Sequence, residues 1–310
     1  MPDNSSQEAK PKIGVVIVNF NNFNDTIKYI NNCLRKQLSV DLTIAVVDND
    51  SDNESFSRLE EEFRDNTGIS LIRNISNTGY SGGNNLGIHF LENSGCEFML
   101  ISNNDIEFED VFLLKQLTEE YRRLKNVAFI APVMLVNGKL SKVHYAWKLP
   151  DKLKEILSST YLLKLLGYFY LKKFYYSIGI NEKSALNVDC LAGSFFLGSS
   201  SAFKETGYFD ENIFLYYEET LLGHKVKKMN KNNYLIQGIF YNHFQEYSIN
   251  TKYSIFQKHR ILLESKIYYW KNYCNAGFLF LSVLKFLYYI NLLETFIIKP
   301  RIVFHEKAGK

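Results

Sequence analysis

Cysteine is scarce in this chain, and its thiols lie far apart. The 310 residues include 4 cysteines, Cys33, Cys96, Cys190 and Cys274, with no close pairing and no metal-ligand spacing. Isolated thiols of this kind are typical of a reducing compartment. No signal peptide precedes the first apolar run, so we expect a cytoplasmic location.

The chain also lacks a strong excess of charge. Its net charge of +3 is too small to make nucleic acid binding a main task. A hydrophobic content of 46% is ample for a core. The length allows one large α/β domain with appendages, or two small domains. We expect the polar residues 1–11 to form a disordered tail.

Three short apolar runs end in Asn or Asp side chains. The runs do not alternate with polar residues, which is typical of strands buried on both faces of a parallel sheet. Helix-like stretches separate them, so we predict right-handed βαβ units and a doubly wound, mostly parallel α/β sheet. Ligands bind at the carboxyl edge of such sheets, although Asn and Asp also end strands because they favour turns. The predicted strands are Ile13–Val18, Leu42–Asp48 and Phe98–Ser102, followed by Asn19–Asn22, Asn49–Ser51 and Asn103–Asp105, and the predicted helices are Asp25–Gln37 and Ser55–Phe63.

A glycine-rich segment, Asn77–Gly87, follows a further predicted strand, Ile69–Arg73. Its glycines permit positive φ and close approach of the backbone to a ligand. Residues 84–91 have a helical pattern, so Gly82 and Gly83 are predicted at a helix N-terminus, where free N–H groups favour an anion. The glycine spacing does not match the dinucleotide-binding fingerprint. The alternative is a tight loop that needs glycine for geometry alone.

Two adjacent acids, Glu218 and Glu219, begin a predicted helix after the apolar run Phe214–Tyr217. The helix dipole favours acids in a first turn, and they need have no further role there. Beside an aromatic wall, however, a carboxylate can be tuned as a general base. His243 follows a predicted strand over residues 234–241 and is either a metal or phosphate contact or a structural histidine.

Taken in order, these segments resemble glycosyltransferase family 2, and most of all its rhamnosyltransferase-like branch of bacterial surface-polysaccharide transferases. The resemblance covers about residues 12–260 and rests on Val-Asn-Phe-Asn-Asn, Val-Asp-Asn-Asp-Ser, Asn-Thr-Gly-Tyr-Ser-Gly-Gly-Asn-Asn, Ser-Asn-Asn-Asp, Gly-Tyr-Phe-Asp-Glu and Tyr-Glu-Glu. It implies a GT-A fold, a dTDP- or UDP-linked sugar donor, and Mg²⁺ or Mn²⁺ as cofactor.

The resemblance also implies roles for single residues. Glu219, with Glu218 beside it, matches the catalytic base, and Asp105 and His243 match the metal site. The branch commonly carries Asp at position 219 and at position 221, where this chain has Glu and Leu221. The residues implied to bind the nucleotide-sugar are Asn19, Asn21, Asp48, Asn49, Asn77, Gly79, Gly82, Gly83, Asn84, Asn104, Gly193 and Ser194.

The implied reaction is inverting, metal-dependent transfer of a sugar, such as rhamnose, to a glycan or a lipid-linked glycan acceptor in surface polysaccharide synthesis. One alternative, suggested by Leu221, is a catalytically impaired nucleotide-sugar-binding or scaffold protein of the same fold. A nucleotidyltransferase is a further alternative, but it would need a basic, glycine-rich triphosphate loop after the first strand. This chain has Asn-Phe-Asn-Asn-Phe there.

Two segments lie outside the sheet pattern. Residues 152–180 are rich in Leu, Tyr, Phe and Lys, whereas residues 273–303 are apolar and aromatic, with interruptions at Lys285, Asn291 and Glu294. Such helices often lie in a membrane interface, here the inner face of the cell membrane. The other interpretations are packing on the protein's own core, a homo-oligomer contact, or a spanning helix, which needs about 20 apolar residues. We therefore predict a GT-A domain over residues 12–260, with a helical insert at about 151–182, and aromatic, amphipathic helices over 261–310.

Overall fold

The computed structural model describes residues 9–140, 145–179, 184–244 and 253–298. Three predictions lie partly outside the described residues. They are the disordered tail over residues 1–8, the end of the helical insert over 180–182, and the chain after residue 298.

The amino-terminal half forms a parallel, doubly wound sheet, as the sequence predicts. Its strands lie in the order β3-β2-β1-β4, and each neighbouring pair is parallel. The segments between them supply the helices that cover the sheet, so the α/β prediction is confirmed. The elements are β1 Lys12–Asn19, α1 Phe23–Tyr29, a π-helical turn Ile30–Leu34, β2 Asp41–Asp48, α2 Ser55–Phe63, β3 Ile69–Arg73, α3 Gly79–Leu91 and β4 Phe98–Ser102.

The remaining strands continue the same sheet and make it mixed. The next elements are β5 Ile106–Glu107, α4 Leu113–Arg123, β6 Val127–Val136, β7 Lys139–Leu140, β8 Ala146–Trp147, β9 Ala185–Val188, β10 Cys190–Leu191, β11 Phe195–Ser199 and β12 Asn232–His243. The ten-stranded sheet runs on from β4 as β11-β6-β12-β5, with β7 beside β6 and β9 beside β12. Because β11 is antiparallel to both β4 and β6, it brings Gly193 and Ser194 to the edge where β4 ends.

Two helix predictions differ from the structure. The helix predicted over Asp25–Gln37 is α-helical only to Tyr29 and continues as the π-helical turn to Leu34. The helix predicted from residue 84 begins at Gly79. Further along, its glycines let it pack closely on the sheet. A Cβ at Gly87 would lie 2.4 Å from Val16 Cγ1, which no side chain can occupy without displacement.

The other helices are short in the insert and long at the carboxyl end. They are α5 Lys152–Leu157, α6 Tyr161–Leu166, α7 Tyr168–Leu171, a 3-10 turn Lys172–Phe174, α8 Ser200–Thr206, α9 Glu218–Lys228, α10 Ile255–Asn272 and α11 Phe278–Ile298. The predicted helical appendage at the carboxyl end is thus confirmed. The predicted domain boundary at residue 260 falls inside α10, and the division into domains stays a prediction.

Helices α10 and α11 pack partly on the protein itself. A second hydrophobic cluster joins Ile213 and Leu221 to Tyr269 and Trp270 of α10 and Leu284 of α11. Leu221, which departs from the family pattern, is 1% exposed in this cluster, where a carboxylate would be buried without a partner. Within the described residues, α11 is the helix that is long and apolar enough, judged by length and composition only, to cross a membrane.

Candidate active site

Asn19 and Asp48 form one end of the site. Parallel pairing places them side by side at the carboxyl ends of β1 and β2. Asn19 Nδ2 donates to Asp48 Oδ1 at 2.8 Å, and Ser51 Oγ donates to the same oxygen at 2.6 Å. Asn21 has a positive φ of 56° and donates its backbone N–H to Ser51 Oγ at 2.9 Å. The sequence therefore predicted this cluster, while its contact with a nucleotide stays a prediction.

Asn49 holds the glycine-rich segment against the sheet. Its Nδ2 donates to Asn77 Oδ1 at 3.2 Å and to the Gly79 carbonyl at 3.0 Å, and its Oδ1 accepts from Thr78 N at 3.2 Å. Gly79 has φ +72°, and a Cβ there would meet the Phe214 carbonyl at 2.0 Å. Asn49 and Gly79 thus fix the loop that leads into the catalytic region.

The predicted anion site at Gly82 and Gly83 needs a correction. Because α3 begins at Gly79, both glycines lie within the helix and not at its N-terminus. The leading N–H groups already have protein partners, since Gly79 N donates to Asn77 Oδ1 at 3.0 Å and Tyr80 N donates to the Phe214 carbonyl at 3.1 Å. Asn84 is buried and donates Nδ2 to the Tyr80 carbonyl at 2.9 Å.

Asp105 and His243 come together across the pairing of β5 with β12. His243 Nε2 lies 3.1 Å from Asp105 Oδ1, and both side chains are mostly buried. His243 Nδ1 is buried without a hydrogen-bond partner. The described residues contain no group of three or more His, Cys, Asp or Glu that could hold a metal. A carboxylate and an imidazole nevertheless fit Mg²⁺ or Mn²⁺, because such ions keep several waters and bind substrate phosphates. Asn104 lies beside them and donates Nδ2 to Thr26 Oγ1 at 2.8 Å.

Gly193 joins this edge to the acidic helix α9. Tyr80 Oη donates to the Gly193 carbonyl at 2.6 Å, and Gly193 N donates to Glu219 Oε1 at 3.3 Å. Ser194 Oγ lies 2.7 Å from Tyr241 Oη, and its carbonyl accepts from Asn103 N at 2.8 Å. Sequence reasoning assigned no role to Tyr80, whose hydroxyl reaches Gly193 from a distant part of the chain.

The two acids at the start of α9 have different surroundings. Glu218 is 6% exposed with an unpartnered Oε2, whereas Glu219 is only partly buried. Burial, followed by the negative charge of Glu219, raises the pKa of Glu218 well above its usual value. Burial also raises the pKa of Glu219, against the opposing effect of backbone hydrogen bonds at Glu219 and Gly193. Glu219 is therefore the more accessible of the two and is poised to take a proton.

A strained turn presents these acids. Tyr216 and Tyr217, directly before Glu218, have φ values of 67° and 74°. Such values are unfavourable for bulky residues and persist only where the surroundings enforce them. The Tyr217 hydroxyl donates to the carboxylate of Glu155, and Lys266 Nζ lies 2.6 Å from Glu155 Oε1. This turn is therefore tied to both the insert and helix α10.

Sequence reasoning missed Glu155 and Lys266. Glu155 is fully buried on α5, and Trp270 Nε1 also donates to it at 3.3 Å. The available signal was its isolation, because it is the sole acid between Lys152 and Ile180. A lone acid in a basic, apolar segment is expected to have a buried cationic partner.

Comparisons with known proteins show the family and the fold of this chain. The family model described as glycosyl transferase family 2 matches residues 14–207, more than half of the chain. The chain is also 29% identical over 223 residues to the low-salt glycan biosynthesis hexosyltransferase Agl10 of Haloferax volcanii, a match covering 71% of this chain and 63% of that protein.

Among solved structures, the chain resembles GalNAc-T7 crystallised with UDP, GalNAc and Mn²⁺, and also TarS of S. aureus. The first has a TM-score of 0.60 at 15% identity and covers 86% of this chain and 49% of that one. The match to TarS has a TM-score of 0.50 at 14% identity and covers 86% of this chain and 45% of the TarS chain. At these identities the likeness concerns the fold, and it confirms the predicted GT-A fold. The chain spans less than two thirds of the length of these relatives, and it belongs to glycosyltransferase family 2.

Proposed function

We propose that this enzyme is an inverting hexosyltransferase that uses a nucleotide-diphosphate sugar and Mg²⁺ or Mn²⁺. One observation carries the proposal. The Gly193 N–H donates a hydrogen bond to Glu219 Oε1 at 3.3 Å. The carbonyl of the next residue, Ser194, accepts a hydrogen bond from Asn103 N at 2.8 Å. A candidate base and the Asp105–His243 pair are thus fixed to one short backbone segment.

The nucleotide part of the donor would lie along the Asn19–Asp48 cluster and the loop held by Asn49. Asn21, Asp48 and Asn77 supply amide and carboxylate groups that suit a base and ribose, whereas the fully buried Asn19 would act by positioning Asp48. The glycines of this loop act mainly in packing, so we assign binding to the side chains around them. The likeness to GalNAc-T7, solved with UDP, supports a UDP-linked donor as well as the dTDP-linked donor that the resemblance to the rhamnosyltransferase-like branch implies.

Asp105 and His243 would hold the divalent cation beside the diphosphate. When bound, this ion neutralises the negative charge that develops on the departing nucleoside diphosphate. Among the residues that the structure describes, two donor side chains meet here. The remaining positions would fall to water and the donor phosphates, so metal affinity without donor should be weak.

Glu219 would take the proton from the acceptor hydroxyl as that oxygen attacks the anomeric carbon. The bond to the diphosphate breaks in the same displacement, so the anomeric configuration inverts. Burial and the negative charge of Glu219 raise the pKa of Glu218, which favours its protonated form and leaves Glu219 as the proposed base. A general base of this kind contributes about 10²–10⁴-fold.

We further propose a glycan or lipid-linked glycan acceptor, reached from the inner face of the cell membrane. The exposed apolar side chains of the insert and of α11 support this location. Phe169 is 83% exposed and Phe278 is 86% exposed. We also propose that the sugar is rhamnose, that the product is a surface polysaccharide, and that the protein forms a homo-oligomer. Each of these three points needs its own experiment.

A donor screen tests the proposed function. Common UDP-, dTDP- and GDP-sugars are incubated with the full chain and Mn²⁺, and nucleotide release is measured. We expect release with one donor class, at least a 100-fold loss in Glu219→Gln, and a comparable loss in Asp105→Ala. His224→Ala, on α9 but outside the site, is the matched control for His243→Ala, which should need more Mn²⁺ for half-maximal rate. Nucleotide binding without turnover of any donor would support the scaffold alternative, and a near-normal rate in Glu219→Gln would reject the assigned base.

A further inference from the structure

A cationic cavity lies between the insert and the carboxyl-terminal helices, outside the active site. It measures about 110 Å³ and is lined by residues of the turn after α5 and of α6, α10 and α11, with Lys164, Lys266, Tyr288 and Asn291 among them. A site of this volume holds a few water-sized groups, which is room for a phosphate group. Every one of these four side chains can donate a hydrogen bond.

The charges around the cavity leave one positive charge in excess, because Lys164 interacts with two further lysines, Lys266 and Lys154, and with two carboxylates, Glu294 and Glu155. Lys266 is 14% exposed and pairs with Glu155 at 2.6 Å. The carboxylate of Glu294 accepts hydrogen bonds from Tyr161 N at 2.5 Å and Leu162 N at 3.1 Å. It therefore caps the amino-terminal end of α6. Partial burial, followed by the positive charge of Lys266, lowers the pKa of Lys164. An anion between the two lysines would relieve that repulsion.

The two serine hydroxyls at the cavity wall already donate hydrogen bonds within the protein, so the lysines are the main hydrogen-bond donors to a bound anion. Ser158 Oγ donates to the Glu155 carbonyl at 3.1 Å, and Ser159 Oγ donates to the same carbonyl at 2.7 Å. Their protons are therefore already used. Ionised lysines form the stronger, charge-assisted bonds to phosphate oxygens.

The helices beside the cavity carry apolar side chains in solvent. On α6, Leu165 is 74% exposed, and on α11, Leu293 is 65% and Ile297 is 73% exposed. Glu294 joins α11 to the start of α6, so these exposed side chains belong to two helices that also line the cavity. A soluble anion would leave this apolar surface in water, whereas a lipid joins a phosphate to acyl chains. A cationic cavity between helices that also expose apolar side chains fits an amphiphile.

We propose that this cavity binds the phosphate headgroup of an anionic membrane lipid, with the apolar side chains of α6 and α11 in the acyl region. The inference rests on the membrane attachment included in the proposed function. It adds a defined headgroup site built on Lys164 and Lys266. Lys266 also contacts Glu155, and Glu155 in turn contacts Tyr217. The lipid would therefore bind next to the turn that presents Glu218 and Glu219.

Vesicle sedimentation of the full chain tests the site. The vesicles are phosphatidylcholine alone and phosphatidylcholine with phosphatidic acid. We expect stronger binding to the second kind and a loss of at least about tenfold in Lys164→Gln, because one lysine near an anionic surface contributes about fivefold and Lys164 would also bond the phosphate. Lys164→Arg should restore binding. Lys285→Gln removes the same charge from α11 at a residue outside the cavity lining, and should lose no more than about fivefold.

Several outcomes would overturn the proposal. Equal losses in Lys164→Gln and Lys285→Gln would mean that charge alone attracts the protein. Equal binding to both vesicle kinds would exclude a phosphate requirement. Calorimetric binding of inorganic phosphate as tight as that of the vesicles would identify a soluble phosphate, and a stable dimer that ignores vesicles would assign the apolar surface to a second copy. Thermal unfolding verifies that each variant folds, and nucleotide release without vesicles tests the proposed catalytic function separately.

Discussion

Replacing Glu155 by Gln should destabilise the protein by about 3 kcal/mol. Burial by itself raises the pKa of this carboxyl, but the positive charges of Lys266 and Lys154 outweigh it and hold the pKa at about 2, against the usual 4.5. A pKa difference of that size corresponds to about 3 kcal/mol. Loss of one partner from a buried ion pair costs a similar amount, about 3–5 kcal/mol, because Lys266 then stays buried without its counter-charge.

Urea unfolding at neutral pH measures this change. The matched control is Glu264→Gln on α10, because Glu264 forms an exposed pair with Arg260 at 2.8 Å. Exposed pairs contribute about 0–1 kcal/mol, so the control should lose no more than that. A Glu155→Gln variant that also loses less than about 1 kcal/mol would contradict the assigned network. Adding Lys266→Met to Glu155→Gln should recover part of the stability, since it removes the unpaired charge.

The lowered pKa of Glu155 predicts how the stability of the protein changes with pH. The pKa of this carboxyl is lower in the folded state, so its contribution is complete above about pH 4.5 and is lost as the pH falls toward about 2. The stability difference between the parent protein and Glu155→Gln should therefore shrink as the pH falls through that window. A difference that stays constant there would show that Glu155 is not ionised in the folded protein.

Further predictions concern the base and the packing of α3. Sugar transfer should decline as the pH falls through the pKa of Glu219, which burial raises above the usual 4.5, and an inflection at or below that value in the rate profile would contradict the assignment. Glu218→Gln should keep most of the turnover that Glu219→Gln loses, as measured by nucleotide release. Gly87→Ala should cost about 1–3 kcal/mol in urea unfolding, because its Cβ would meet Val16. Gly277→Ala, with open space around its Cβ, should change stability little.

The parallel strands and their polar ends were predictable because the signal is local. Asn19, Asp48 and Asp105 each follow a continuous apolar run, and parallel strands necessarily bring such ends to one edge of the sheet. The family motifs implied roles for Glu219 and His243, and these roles stay predictions. The start of α3 was not predictable, because glycine is a poor helix former and the groups that contact its first residues, Asn49 and the Phe214 carbonyl, come from distant segments of the chain.

The sequence by itself determined the α/β fold, the family and the set of polar residues at the sheet edge, because each depends on short segments of chain. Only the tertiary structure decided that Glu218 is buried while Glu219 is partly accessible. It also decided that Glu155, Tyr217 and Lys266 meet, although they lie far apart in the chain. Burial and charge pairing depend on which distant segments pack together, and no local pattern records that.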